Sequence, residues 1–308
     1  MPNRARTAVT QPATISGQTA LLGVLGDPVR HSLSPAMHNA ALAELGLDWI
    51  YLALPAAAGE LAGVVRALEA MGCRGLSVTI PHKQAVAALC RQLTPLAERI
   101  GAVNTLVPLA EGGWLGTNTD AEGFCAPLQG AGAGAWQGRR AVVLGCGGSA
   151  RAVVAGLVEL GCGAIQVAGR DPARLAAFAR DCAAWAPQLQ PLAWEAGDPA
   201  LDQALGAAAL VVNTTPVGMR SASDPAAAAR CPLSPDQLDR LTPGSTVYDL
   251  IYTPRPTCLL QEASARGCHS VDGLEMLVQQ GAAALRLWSG RDDVPVATMR
   301  QALLERLP

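Results

Sequence analysis

The sequence predicts an α/β protein of two domains, each built on a mostly parallel sheet. Three observations predict it. Strand-like and helix-like patterns alternate through both halves of the chain, as βα units do. The chain changes character over 123–138, where "GAGAGAWQGRR" is rich in glycine, and a fresh strand pattern follows, so a domain boundary is expected near 122–138. Its 308 residues, half of them apolar, suffice for two cores.

The elements follow in order. "LLGVLG" (21–26) is a strand. "SPAMHNAALAELG" (34–46) is a helix, with Ser34 as N-cap, Pro35 at its first position and Gly46 past its end. "WIYLALP" (49–55) is a strand, and 57–71 is a helix closed by Gly72. In "GLSVTIPHKQ" (75–84) Leu76, Val78 and Ile80 alternate with Ser77 and Thr79, a short strand that Pro81 stops. Ala85, Val86 and Leu89 then have helical spacing, which places Lys83 in a first helical turn. A helix start is locally unfavourable for a cation. "AVNTLVPL" and "GWLGTNTD", separated by Glu111-Gly112-Gly113, read as a hairpin. In the second half, strands are expected at 141–145, 164–168, 209–214 and 246–252. Helices are expected at 148–160, 172–184, 274–288 and 295–306.

Composition excludes some partners. The formal net charge is −2 and only 16% of residues are charged, so nothing favours nucleic acid or an anionic membrane surface. No apolar run has the length of a membrane span. Nine cysteines without CxxC or Cys/His spacing read as structural thiols of a reducing compartment, with no metal site. Residues 1–20 carry Arg4 and Arg6, and no acid precedes Asp27; they read as a disordered tail with a weak likeness to a transit peptide.

"AVVLGCGGSARAVVAGLVELG" is an apolar strand, a glycine turn and a long helix. Gly145, Gly147 and Ala150 fit the dinucleotide fingerprint. The fingerprint requires a tight turn, close backbone approach to a pyrophosphate and a small residue for helix packing, with free N–H groups at the helix start. The plain alternative is an ordinary tight αβ turn. After the next strand come Gly169, Arg170, Asp171 and Arg174. Two arginines on one turn suit a 2′-phosphate, while Asp171 keeps NAD open. In "DPVRHSLSPAMHN", an extended reading puts the hydroxyls of Ser32 and Ser34 on one side, ahead of a helix start that could seat a carboxylate.

"SLSPAMHN", "SVTIPHK", "GAVNT", "TNTD", "GCGGSARA", "NTTPVGM", "YDLIY" and "GLEMLVQQGA" occur in that order. Together they resemble the shikimate dehydrogenase family, including its quinate/shikimate-using relatives, from about residue 21 to the last helices. The resemblance implies NADPH-dependent, reversible reduction of 3-dehydroshikimate to shikimate in aromatic amino-acid (chorismate) biosynthesis, by a cytoplasmic enzyme. It implies two α/β domains around a cleft: a substrate-binding catalytic domain over 21–122 and a Rossmann-like NADP-binding domain over 123–274, with helices of 275–308 packing back onto the first. A homodimer is left open.

Carried over residue by residue, Lys83 and Asp120 are the catalytic pair, and Ser32 and Ser34 hold the substrate carboxylate. Thr79, Asn104, Asp120 and Gln280 bond the ring hydroxyls, and Tyr252 lies near the substrate. Gly145, Gly147, Gly148, Ser149 and Ala150 cradle the pyrophosphate. Gly169 lies on the adenosine side, where Arg170 and Arg174 clamp the phosphate, and Thr215, Met219 and Gly273 line the cofactor. Two departures are visible: Ser77 stands where the family commonly has Asn, and Gly169-Arg170-Asp171 where it commonly has Asn-Arg-Thr. They keep a broader quinate/shikimate dehydrogenase using NAD as the alternative. A catalytically silent cofactor sensor and a methylene-tetrahydrofolate dehydrogenase fit less well. The first would dispense with Lys83 and Asp120, and the second lacks the paired serines and "TNTD".

Overall fold

The computed structural model describes residues 15–130, 132, 134–195, 199–220 and 224–307. The first layer set contains β1 (Ala20–Gly26), α1 (Ser34–Glu44), β2 (Trp49–Pro55), α2 (Leu61–Ala70), β3 (Gly75–Val78), β4 (Gln92–Leu93), α3 (Pro95–Ile100), β5 (Thr105–Pro108) and β6 (Trp114–Thr117). Its sheet runs β2-β1-β3-β5-β6-β4. The β1, β2 and β3 pairings are parallel, whereas β5 is antiparallel to both β3 and β6, so this sheet is mixed.

The second set contains α4 (Asp120–Gln129), β7 (Arg140–Leu144), α5 (Gly148–Glu159), β8 (Ala164–Gly169), α6 (Pro172–Cys182), β9 (Leu189–Ala193), α7 (Pro199–Ala207), β10 (Leu210–Asn213), α8 (Pro235–Leu238), β11 (Thr246–Asp249), α9 (Cys258–Ala265) and β12 (His269–Val271). Its six strands, in the order β12-β11-β10-β7-β8-β9, are all parallel. The order reverses between β7 and β10, which is the doubly wound arrangement with its switch point at the end of β7. The strands that bury both faces are continuous apolar runs: Ala141, Val142, Val143 and Leu144 are fully buried, as parallel strands covered by helices require.

α10 (Leu274–Ser289) and α11 (Val296–Leu304) end the chain. α10 is made of good helix formers and stops at Gly290, whose φ of +67° is left-handed. It serves both cores. Leu274, Val278, Ala282, Leu285 and Trp288 pack with β1, α1 and α11, while Met276 joins Phe124, Val143 and Tyr248 of the second core. Each large apolar side chain buried this way stabilises the arrangement by roughly 1.5–3 kcal/mol.

Several local expectations are corrected. Residues 85–89 form a short 3-10 helix, so Lys83 lies in the turn before it and not in an α-helical first turn. The helix expected over 57–71 begins at Leu61, after a 3-10 turn at Ala58–Glu60. The boundary region opens with α4, which runs through Gln129 despite Gly123 and Pro127. Ser34 is the first residue of α1, and Leu33 precedes it in helical conformation, so Ser32 and Ser34 are not alternate residues of an extended segment. The tail expected over 1–20 lies outside the described residues for 1–14. Over 15–20 the chain turns, Thr19 Oγ1 donates to Asp48 Oδ1 (2.7 Å), and β1 begins. Among the described residues no helix is long and apolar enough to cross a membrane.

Candidate active site

The edge of the first sheet assembles a polar group from four segments. Val78 N–H donates to the Asn104 carbonyl at 2.7 Å, and Asn104 N–H donates to the Thr117 carbonyl at 3.1 Å. The β3–β5–β6 pairing therefore brings Thr79, Asn104 and the start of α4 to one edge. Val103 N–H donates to the Lys83 carbonyl at 2.7 Å, which pins the turn carrying Lys83 to the same place.

Here Lys83 Nζ donates to Asp120 Oδ2 at 2.5 Å, and Asn104 Nδ2 donates to Asp120 Oδ1 at 2.9 Å. The side chains of Lys83 and Asp120 are only 14% and 7% exposed, so the pair is largely removed from water. Gln280 reaches in from α10, its Oε1 3.5 Å from Asn104 Nδ2. Close packing makes that reach possible: a Cβ on Gly123 of α4 would stand 2.8 Å from Gln280 Cβ and from the Met276 carbonyl. Lys83, Asn104, Asp120 and Gln280 thus form one hydrogen-bonded group, while Thr79 and Tyr252 are half-buried and lie outside it.

Three residues not singled out from the sequence hold this group in place. Asn104 Oδ1 accepts from Thr119 N–H (2.8 Å) and from Thr105 Oγ1 (2.9 Å), which fixes its amide with Nδ2 toward Asp120. Asn118 Oδ1 accepts from Asp120 N–H at 3.0 Å, and its Nδ2 donates to the Ala102 carbonyl. The signal was the density of polar residues in "TNTD", all of them buried. An ammonium has three N–H donors. Lys83 spends one on Asp120, so others can meet a substrate oxygen.

Ser32 and Ser34 lie at the start of α1, and Ser32 Oγ accepts from Ser34 N–H at 3.2 Å. Ser34 is buried, and its carbonyl accepts from His38 Nδ1 at 2.9 Å. Burial lowers His38 to about 4, so its ring is neutral at ordinary pH. His38 stacks on Tyr51 at 4.1 Å between ring centres, a packing role. His82 is buried against the Ala56 carbonyl.

Across from these residues is the glycine turn. Gly145 has φ +104°, and a Cβ there would stand 2.8 Å from Thr214 Oγ1 and 2.9 Å from Thr215 Cγ2. A Cβ on Gly147 would meet nothing within 4 Å, so the backbone of the turn is open to approach. A Cβ on Gly148, the first residue of α5, would stand 3.7 Å from Lys83 Cβ. The helix start beside Lys83 is therefore that of α5. Ala150 is fully buried and Ser149 half-buried behind the turn. Thr215 N–H and Oγ1 both donate to Asn213 Oδ1, and Met219 is 39% exposed nearby in the chain. Gly273 passes so close to β11 that a Cβ would stand 2.0 Å from the Leu250 carbonyl.

Gly169 ends β8, and Arg170 and Arg174 are exposed beyond it. Asp171 is the N-cap of α6: its Oδ1 accepts from the N–H of Ala173 (2.9 Å) and Arg174 (3.1 Å). The open turn, the unencumbered start of α5 and two exposed guanidinium groups at one sheet edge fit a phosphorylated dinucleotide. Asp249, inside "YDLIY", accepts from Asn213 Nδ2 (3.0 Å), Thr257 Oγ1 (2.8 Å) and Ile251 N–H (3.1 Å). Burial still raises its carboxyl to about 6.

Comparison with known proteins agrees with this geometry. The shikimate dehydrogenase substrate binding domain matches residues 24–106, and the shikimate 5′-dehydrogenase C-terminal domain matches residues 273–304. A Synechococcus protein named shikimate dehydrogenase (NADP(+)) is 50% identical over 95% of this chain and 98% of its own length. Shikimate 5-dehydrogenase of Thermus thermophilus, solved with NADP(H) and shikimate, is 36% identical with a TM-score of 0.80, covering 94% of this chain and 100% of that one. Quinate dehydrogenase of Corynebacterium glutamicum, solved with NAD, is 31% identical with a TM-score of 0.81, covering 93% and 99%. With two α/β layer sets around the Lys83–Asp120 group and half its residues shared with such a relative over nearly the whole length, the chain belongs to the shikimate dehydrogenase family.

Proposed function

We propose that this chain catalyses the reversible, NADPH-dependent reduction of 3-dehydroshikimate to shikimate, in chorismate and aromatic amino-acid biosynthesis. The observation that carries the reading is the water-poor Lys83–Asp120–Asn104 group lying against the first residue of α5. It joins a proton donor to the element that a dinucleotide would occupy.

In this reading Ser32 and Ser34 hold the substrate carboxylate at the start of α1. Asn104, Thr79 and Gln280 bond the ring hydroxyls and Tyr252 borders them. A site built around such hydroxyls rejects analogues that lack them, because buried donors would be left unpaired. Lys83 Nζ donates a proton to the carbonyl oxygen as it becomes a hydroxyl, and in the reverse direction takes it back. Asp120 holds Lys83 in place and accepts from the reacting hydroxyl. Gly145, Gly147, Gly148, Ser149 and Ala150 would hold the pyrophosphate, Arg170 and Arg174 the 2′-phosphate beyond Gly169, and Thr215, Met219 and Gly273 the nicotinamide side. When bound, NADPH supplies the hydride.

The alternative, a quinate/shikimate dehydrogenase using NAD, rested on Ser77 and Asp171. Asp171 is engaged as a helix cap, and the relatives at 50% identity are named for NADP(+). Initial rates with shikimate and quinate, each with NADP⁺ and NAD⁺, test the proposal. Turnover of shikimate with NADP⁺ at least tenfold above every other pair supports it; preferred turnover of quinate or with NAD⁺ overturns it. A cytoplasmic location, in keeping with nine free thiols, and a homodimer belong to the same proposal; cell fractionation and sedimentation test them.

A further inference from the structure

The adenosine end of the cofactor site contains a residue that no motif marked. Trp194 directly follows β9, and its N–H donates to the Gly169 carbonyl at 3.1 Å. Gly169 and Ala193 are the last pair of the β8–β9 ladder, so Arg170 and Trp194 leave neighbouring strands side by side. They leave at the carboxyl ends of a parallel sheet, where open α/β folds bind their ligands. The guanidinium carbon of Arg170 lies 5.0 Å from the Trp194 ring centre, within cation–π range. The Asp171 carboxylate, which could have drawn either arginine to itself, accepts from two N–H groups of α6 instead.

We propose that Trp194 is a positioning residue of the cofactor site. Its indole holds the Arg170 guanidinium as a preformed platform for the 2′-phosphate, and this stack favours NADP over NAD. The inference rests on the reading of the glycine turn as an NADP site, and goes beyond it in naming what orders the arginine. An unsupported arginine must lose its rotamer freedom when the phosphate arrives, whereas a stacked one has already lost much of it. The planar group also keeps its N–H edge free for bidentate contact while its face is occupied.

The test uses adenosine 2′,5′-bisphosphate and adenosine 5′-monophosphate as probes, titrated calorimetrically into the wild-type protein, Trp194→Leu and Trp194→Phe. Trp194→Leu keeps an apolar contact and removes the ring face. The expected result is a loss of about twofold to fivefold in bisphosphate affinity for Trp194→Leu, on the scale of one exposed cation–π contact. Monophosphate affinity should be unchanged, and Trp194→Phe should recover more than half of the loss. Unchanged bisphosphate binding in Trp194→Leu overturns the proposal. So does an equal loss for both probes, which would make Trp194 a general adenosine contact, and so does a phenylalanine variant no better than leucine. A wild-type protein that binds the two probes equally removes the NADP reading itself, and the proposal with it.

Discussion

Replacing Lys83 by methionine separates its chemical role from its structural one. Asp120 is 5% exposed and receives Lys83 on one oxygen and Asn104 on the other. Removing the ammonium leaves a carboxylate in a water-poor place with one neutral partner. Breaking a fully buried pair costs 3–5 kcal/mol, and the residual exposure of Lys83 reduces that to about 2–3 kcal/mol here. At about 2–4 °C per kcal/mol for a sizeable domain, Lys83→Met should melt roughly 5–10 °C below wild type. Adding Asp120→Asn removes the stranded charge, so the double variant should regain at least half of that loss. Activity should behave differently: kcat falls about a hundredfold or more in both, because the proton donor is absent from both. Thermal melting by circular dichroism and initial rates with shikimate and NADP⁺ are the assays. A double variant that melts no higher than Lys83→Met would refute the stranded-charge argument. A kcat for Lys83→Met within tenfold of wild type would refute the proton-donor role.

The second core offers a pH prediction. Burial raises Asp249 from 3.8 to about 6, so the native state holds this proton more tightly than the unfolded chain, and stability falls as pH rises between those values. The interval corresponds to about 3 kcal/mol, and Asp249→Asn should lose that slope. Denaturant midpoints of the two proteins at pH 4 and pH 6 check it, and a constant difference between them would contradict it. Gly145→Ala should weaken NADP⁺ binding at least tenfold, because the added methyl meets Thr214 and Thr215 at φ +104°; titration of the cofactor reads this directly. Asn104→Ala should lower kcat/KM for shikimate by about a hundredfold while a 4-deoxy or 5-deoxy analogue loses less, since one hydroxyl partner is then already missing. Arg151, 8% exposed, lies over Phe178 at 5.3 Å, pairs with Asp181 and donates to the Ile100 carbonyl, tying α5 to the end of α3. Arg151→Met should therefore lower the melting temperature more than Arg174→Met, which removes an exposed charge, and equal melting of the two would contradict it.

How much of this was legible in the sequence varied with the kind of signal. The strands of the second sheet that bury both faces were visible as apolar runs, and β7, β8, β10 and β11 lie where the pattern put them, though β11 ends at Asp249 and not at 252. β9 reads "LQPLA" and β12 "HSV"; both are edge strands, too polar or too short to announce themselves. α7, α8 and α9 are short helices that bury only one to three apolar residues each. α4 overlaps the stretch that the glycine-rich "GAGAGAWQGRR" marks as a domain boundary, and its own Gly123 and Pro127 are poor helix residues. Only the packed partner explains Gly123, since a side chain there would collide with Gln280. At the site, the motifs marked Lys83, Asn104, Asp120 and Gln280. Thr105 and Thr119 bond Asn104, Asn118 bonds Asp120, and Trp194 lies over Arg170 at the other sheet; no spacing rule reports a contact between distant segments.

Two charged residues make the same point from opposite directions. In the sequence, the residues that follow Lys83 place it at a helix start. The structure gives those residues a short 3-10 helix with little dipole, and sets Lys83 instead beside Gly148 at the start of α5, sixty-odd residues away. In the sequence, Asp171 stands where an acid could meet a ribose. The structure spends that acid on the start of its own helix, the ordinary position for a carboxylate. The lysine is held against local preference, and the opposing charge that offsets the cost, Asp120, comes from another element. The aspartate satisfies local preference and needs nothing further. A charged residue placed against its local rule, with its compensation supplied from a distance, is what a site of chemistry requires; one that obeys the rule is accounted for by folding alone. On that criterion the Lys83–Asp120 pair and the helix cap separate without appeal to the substrate.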